Sequence, residues 1–413
     1  MTADISPEFD NRYLRGSFAP VTQEVTAFDL PVTGRIPAEL NGRYLRIGPN
    51  PLGVEYPAAH IWTMGEGMVH GVRLRQGRAE WYRNRWVRSG PVADRLGEPR
   101  RGTPVDPRLD FAPNIQVAEH GGRLYALVEG GLRPYELTYD LDTVGPCELG
   151  VTPEGFAANA HSKYEAATGQ LHSLTFRPGA GFVQHIVTGG DGVVRKATSV
   201  PAPTMPYMHD FALTEHYVIF FESSVVFSRE RIATGVPYAW DEEVAVHVGV
   251  LHRAGGRLRR LQVAPGDVSH TLNAYEAGGL IVVDVIVRPE RYELTDLGAS
   301  RPVLERWSID LEAGTVRQDR LHERPQDFPR MDGRRSGLPY RYGYAAATEL
   351  FAAPARIGGD RPDEGFSNAL LKHDLATGAT ETHEFGRDSA VSESDPPDLR
   401  PPATAGGVGA APP

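Results

Sequence analysis

The sequence predicts an all-β protein, and a β-propeller in preference to a sandwich. Short alternating apolar segments broken by Gly, Pro or Asp recur from end to end, and no stretch carries a long 3.6-residue apolar period. This pattern runs over some 390 residues, more than a sandwich normally holds.

In chain order, Val72 to Val87 reads as a hairpin turning at Gln76-Gly77, and Gly122 to Tyr139 places Leu124, Ala126 and Val128 on one face. Glu215 to Phe227 and Gly279 to Val287 are more continuously apolar, as strands covered on both faces are. Tyr139-Asp140-Leu141, Ile309-Asp310-Leu311 and His373-Asp374-Leu375 each precede a glycine, at Gly145, Gly314 and Gly378. In each, the strand is expected to end at the Asp, whose side chain caps the turn, and the next to leave after the Gly. Ser394 to Pro413 has no aromatic residue and no alternation. It cannot bury enough apolar surface to offset its ordering entropy, so a disordered tail is expected beyond a folded unit of residues 1–393.

Composition narrows the function classes. The net charge of −10 is spread without long runs of one sign, which argues against binding nucleic acid phosphates. The single cysteine, Cys147, rules out a disulfide framework and a Cys-based zinc site. Met1 to Pro20 lacks the basic-then-apolar pattern of a signal peptide, and no apolar run approaches the roughly 18 residues of a membrane span. A cytoplasmic protein is expected, with room for peripheral membrane contact through a local apolar patch.

His161, His209 and His270 each sit at the edge of a strand-like segment, roughly fifty and sixty residues apart. They cannot share a helix turn. If they meet, separate units of similar size bring them together, as inner strands of propeller blades do. By spacing alone, ordinary hydrogen-bonded histidines remain an open reading beside metal ligation.

The local sequences add a resemblance. Asn41-Gly42-Arg43-Tyr44-Leu45-Arg46-Ile47-Gly48-Pro49-Asn50-Pro51 and Gly65-Glu66-Gly67-Met68-Val69-His70-Gly71 open a series of motifs. It continues through Ala160-His161-Ser162-Lys163, Met208-His209-Asp210-Phe211 and His270-Thr271-Leu272-Asn273, then Asp327-Phe328-Pro329-Arg330-Met331-Asp332 and Tyr340-Arg341-Tyr342-Gly343-Tyr344. In order and spacing this series resembles the carotenoid cleavage oxygenase family, over roughly Leu40 to Glu393.

The resemblance implies a seven-bladed propeller, here lacking its last blade strands, with one non-haem Fe(II) per chain on the axis. Three of the family's four histidine ligands match His161, His209 and His270. Neutral imidazoles suit Fe(II) and leave positions open for O₂. The family orients its ligands with three glutamates, which fall on Glu129, on Asp327 (one methylene shorter) and on Glu393. At Glu129 a solvent-facing edge residue is the other reading, and His70 and His216 read as structural. The fourth histidine has no match, and the change at Ser394 suggests a frameshift or assembly error.

The activity implied is oxidative cleavage of a carbon-carbon double bond in an apolar polyene by O₂, giving two carbonyl products. Phe111, Phe176, Phe211 and Tyr275 are wall residues or ordinary core. Stilbene-cleaving relatives tend to carry a Lys just before the first glutamate. This chain has Val128, which favours a carotenoid or apocarotenoid over stilbene-type cleavage. Other readings are an inactive truncated propeller that at most binds apolar ligands or weak metal, and a propeller that recognises protein partners.

Overall fold

The computed structural model describes residues 11–14, 18–111, 113–177, 179–234, 236–294, 301–347, 369–385 and 391–393. Among them lie six four-stranded antiparallel sheets and one two-stranded hairpin, the blades of a propeller. Blade 1 takes its inner strand from Gly42–Pro49 and continues through Gly67–Arg75 and Arg78–Trp86. Its outermost strand is the earlier segment Thr26–Phe28, which pairs with Arg78–Trp86. Blades 2 to 6 are simple meanders whose inner strands are Gln116–His120, Lys163–Glu165, Ala212–Leu213, Asp267–Ala277 and Gln326–Met331. Blade 4 carries the extra hairpin, Val225–Phe227 with Tyr238–Trp240.

The core lies between blades rather than inside one closed layer. In Arg123–Leu127, Leu124 and Ala126 pack toward blade 1, while Tyr125 and Leu127 pack toward blade 3. A strand that alternates in this way buries both faces, each large side chain contributing about 1.5–3 kcal/mol. Comparable apolar clusters join blades 3 and 4, 4 and 5, and 5 and 6. Between blades 6 and 1, Phe328 meets Trp62 with ring centroids 5.7 Å apart.

The hairpin expected at Gln76-Gly77 forms, with both residues in the left-handed region (φ 47° and 76°) that a two-residue primed turn requires. Two of the three Asp-Leu turns end and restart as expected, at Asp310 with Thr315 and at Asp374 with Ala379. The third differs. There the strand stops at Leu137, Thr138 Oγ1 accepts from the Asp142 amide, Leu141 takes a left-handed φ of 72°, and Gly145 lies inside the next strand.

The expectation of a seven-bladed ring is corrected to six blades among the described residues, the sixth ending at Ala379–Glu384. The expected tail, 394–413, and the boundary drawn at Ser394 lie outside the described residues. No helix among the described residues is long and apolar enough to cross a membrane.

Polar staples also cross between blades. Arg253, just after the third strand of blade 4, donates to both oxygens of Glu165 in blade 3 (2.6 and 2.9 Å) and lies 3.3 Å from His172 Nε2. His172 Nδ1 in turn sits 3.1 Å from His185 Nε2. Burial holds His172 at about 4 and His185 at about 3, well below the ordinary 6.5. The unfolded chain therefore binds protons that these buried rings refuse. The stability they contribute is full above about pH 6.5 and is lost as pH falls through about 4. For His172 alone the loss at pH 4 is on the order of 3 kcal/mol. Urea midpoints measured from pH 7 to pH 4 are expected to fall across that window, and a flat profile would contradict the assignment.

Candidate metal centre

Three inner-strand segments carry the histidines to one place. His161 and His209 lie just before the inner strands of blades 3 and 4, and His270 lies within that of blade 5. Their ligating nitrogens all fall within 4.8 Å of one another, and ring centroids are 4.3 to 4.9 Å apart. His209 Nε2 and His270 Nε2 are 3.1 Å apart.

Local backbone features aim these rings. His161 sits in the left-handed region at φ 56°, where a non-glycine residue is uncommon. The following Ser162 hydroxyl holds it there, donating to the Asn159 carbonyl and lying 2.6 Å from Ser173 Oγ. His270 lies at a bulge in Asp267–Ala277, and Asp327 at another in Gln326–Met331, followed by Phe328 at φ 56°. Bulges re-aim side chains, and here two of them turn His270 and Asp327 toward each other.

Carboxylates stand behind two of the rings. Glu129, one residue before the left-handed pair Gly130-Gly131, makes a short hydrogen bond with His209 Nδ1, and the Tyr207 hydroxyl donates to its other oxygen at 3.0 Å. Asp327 Oδ1 lies 2.6 Å from His270 Nδ1, so the shorter side chain spans the gap without loss of contact. Asp327 also accepts from Arg288 (2.6 Å), from the Ser269 hydroxyl (3.2 Å) and from the Phe328 amide (2.8 Å). Burial opposes its charge, but His270 and Arg288 hold its carboxyl well below the usual range.

Glu393 departs from its expected place. The sequence reading puts it behind a ligand histidine, as an orienting carboxylate. Instead its Oε1 lies 3.6 Å from His270 Nε2, on the side facing the other rings, because the Arg330 guanidinium anchors Oε2.

This geometry suits a cation. With Nδ1–H of His209 and His270 directed at carboxylates, their Nε2 atoms face each other 3.1 Å apart, a spacing satisfied either by a proton shared between them or by a metal ion that takes both lone pairs. Two nitrogens about 2.1 Å from one ion and at right angles lie about 3.0 Å apart. His161 Nε2 is buried without a hydrogen-bond partner, and one nitrogen of this ring lies within the cluster. Burial, then the neighbouring His209 and His270, push His161 well below its ordinary 6.5 and keep it neutral. For His209 burial acts in the same direction, but the Glu129 carboxylate outweighs it and lifts the ring to about 9. The centre attracts positive charge.

Sequence reasoning misses several supporting residues. Lys163, Asp210 and Thr271 follow the three histidines closely and lock their segments together. Lys163 Nζ lies 2.7 Å from Asp210 Oδ1, while the Thr271 amide and hydroxyl donate to Asp210 Oδ2 at 2.8 and 3.0 Å. Complementary charge within the histidine motifs was the available signal. Tyr207, which stacks on His209 at 5.5 Å, had none. The suggested wall residues lie elsewhere. Phe176 and Phe211 are core between blades 3 and 4, Tyr275 packs on Tyr340, and Phe111 is exposed. Besides Tyr207, Phe328 sets an aromatic ring against the cluster, 5.5 Å from His270. His70 pairs with Tyr82 and His216 with Glu276, and neither joins the cluster.

Comparison with known proteins fits this arrangement. The family model described as retinal pigment epithelial membrane protein matches residues 18–394. A carotenoid cleavage oxygenase of Mycobacterium tuberculosis is 38% identical over 449 residues, covering 95% of this chain and 87% of the relative. The chain belongs to the carotenoid oxygenase family. An isoeugenol monooxygenase of Pseudomonas putida is 30% identical, covering 80% of this chain and 74% of its own. The crystal structure of Pseudomonas brassicacearum lignostilbene dioxygenase superposes with a TM-score of 0.79 at 25% identity, covering 91% of this chain and 84% of that one. As a member of the carotenoid oxygenase family, the protein is an oxidoreductase of the dioxygenase type.

Proposed function

We propose that the chain is an Fe(II)-dependent oxygenase that cleaves a carbon-carbon double bond of a carotenoid or apocarotenoid with O₂, giving two carbonyl products. His161, His209 and His270 would hold one ion per chain. The observation that carries this reading is a buried His161 ring, its Nε2 unpartnered, clustered with two further imidazoles whose Nδ1 atoms are tied to Glu129 and Asp327. Three neutral imidazoles are donors that Fe(II) accepts, and bound iron supplies the activation of O₂.

The chain's own side chains do the rest. Glu129 and Asp327 fix the rings and keep each Nδ1 protonated, so that Nε2 remains a lone-pair donor. Phe328 and Trp62 place apolar surface beside His270, which favours a greasy alkene and excludes water. No carboxylate pair or nucleophile is required.

The carotenoid substrate class rests on the M. tuberculosis relative and on Val128, buried at the position preceding Glu129. Stilbene-type cleavage is the second reading, favoured by the fold match to lignostilbene dioxygenase. An apolar substrate also fits a cytoplasmic enzyme in peripheral contact with a membrane.

The test is reconstitution with Fe(II) without oxygen, followed by O₂ uptake with an apocarotenoid and, separately, a hydroxystilbene. Aldehyde products from the apocarotenoid, abolished by a chelator, are expected. Turnover of the stilbene alone would transfer the assignment to the second reading. Absence of bound iron and of uptake with either substrate would leave an inactive propeller.

A further inference from the structure

Glu129 and Asp327 each hold one ring by its Nδ1, and neither sets how far one ligand histidine stands from the next. That spacing needs a tie between blades. His161, His209 and His270 belong to three separate sheets, and the strands that carry or follow them, Lys163–Glu165, Ala212–Leu213 and Asp267–Ala277, are each an edge strand. Asp210 makes the connection. It follows His209 directly, is 3% exposed, and meets Lys163 Nζ of blade 3 at 2.7 Å and the Thr271 amide and hydroxyl of blade 5 at 2.8 and 3.0 Å. We propose that Asp210 is the positioning residue of the metal centre, its carboxylate setting the spacing of the three imidazoles and thereby the affinity and geometry with which they hold an ion. This rests on the metal site proposed above.

Chain connectivity makes the coupling direct. Lys163 stands two residues after His161, and the Thr271 amide is the peptide nitrogen bonded to the His270 carbonyl carbon. The Asp210 oxygen that meets Lys163 also accepts from the Phe211 amide at 2.7 Å, which fixes the carboxylate beside His209. Each ligand segment is thus held to one buried group. Side chains that must meet one ion need placement to within about 0.5 Å, and a carboxylate held from three segments supplies it. Its charge matters as much as its shape. A carboxylate accepts on both oxygens and an amide on only one, so an asparagine here gives up either Lys163 or Thr271. Asp284 offers the contrast, a carboxylate buried as deeply whose partners are Arg306 (2.7 and 2.8 Å) and Tyr340 (2.6 Å).

The test is anaerobic titration of the purified chain with Co(II), a spectroscopic stand-in for Fe(II). Wild type, Asp210→Asn, Asp284→Asn, Thr271→Val, Thr271→Ser and His161→Ala are compared for stoichiometry, affinity and visible absorption, after thermal melting of each metal-free variant. One Co(II) per wild-type chain is expected, with an affinity loss of at least about tenfold and an altered spectrum in Asp210→Asn, and neither change in Asp284→Asn. Thr271→Val removes only the hydroxyl link, so a loss of about threefold is expected, restored in Thr271→Ser. This pair decides the matter if Asp210→Asn does not fold. Binding unaltered in Asp210→Asn, or in Thr271→Val where that variant decides, but lost in His161→Ala overturns the positioning role and leaves the three-histidine site standing. Equal losses in Asp210→Asn and Asp284→Asn overturn it as well, since both then report a general loosening of the fold. A wild type that binds no Co(II) removes the metal site and this inference with it.

Discussion

Replacing His161 with alanine is expected to abolish stoichiometric Fe(II) binding and to lower kcat/KM for the polyene by at least about 10³-fold, while changing the stability of the metal-free protein by no more than about 2 kcal/mol. The asymmetry follows from its surroundings. In the metal-free protein His161 Nε2 is buried and makes no hydrogen bond, so its removal breaks no polar contact and relieves an unsatisfied atom. The cost is a small cavity and an alanine at the left-handed φ of 56°. A histidine that served the core would behave in the opposite way, destabilising the fold and leaving metal content untouched. Denaturant unfolding of the metal-free variant, read beside its iron content, separates these cases.

Asp327→Ala is expected to damage both fold and metal site. This carboxylate accepts from His270, Arg288, Ser269 and the Phe328 amide at once. Its loss removes the 2.6 Å hydrogen bond of a charged guanidinium that is 6% exposed, which costs about 1.5–3 kcal/mol. It also frees the His270 ring, for which a loss of about 10–100-fold in metal affinity is the usual consequence. Asp327→Glu is instructive because glutamate is the residue the family resemblance expects. Here the aspartate already reaches both partners at 2.6 Å, so the additional methylene is expected to overpack the gap and cost about 1–3 kcal/mol. A glutamate variant more stable than the parent, or an alanine variant as stable as it, would contradict this account.

Much of the fold was legible because β-structure writes itself with a period of two. The apolar alternation at Leu124 and Ala126, the Gln76-Gly77 turn and the glycines after Asp310 and Asp374 each fix a strand or its end. The blade number was not legible, since a strand sequence does not say which sheet it joins. The outermost strand of blade 1 comes from Thr26–Phe28, ahead of the strands it completes.

At the site, the histidines were visible through their spacing and neighbours, and Glu129 and Asp327 through the resemblance. Arg288 was hidden because the end of an apolar strand ordinarily emerges into solvent. The arrival of Asp327 from the next blade helps to make its burial tolerable. The orientation of Glu393 was equally hidden, since whether a carboxylate meets Nδ1 or Nε2 is decided in three dimensions by Arg330.

The most direct measurement is an anomalous difference map at the iron edge from crystals of the Fe(II)-reconstituted chain. The proposed iron site predicts a single peak per chain, about 2.1–2.2 Å from one ring nitrogen of each of His161, His209 and His270. A map with no peak among those three rings, or with iron held elsewhere, would contradict it.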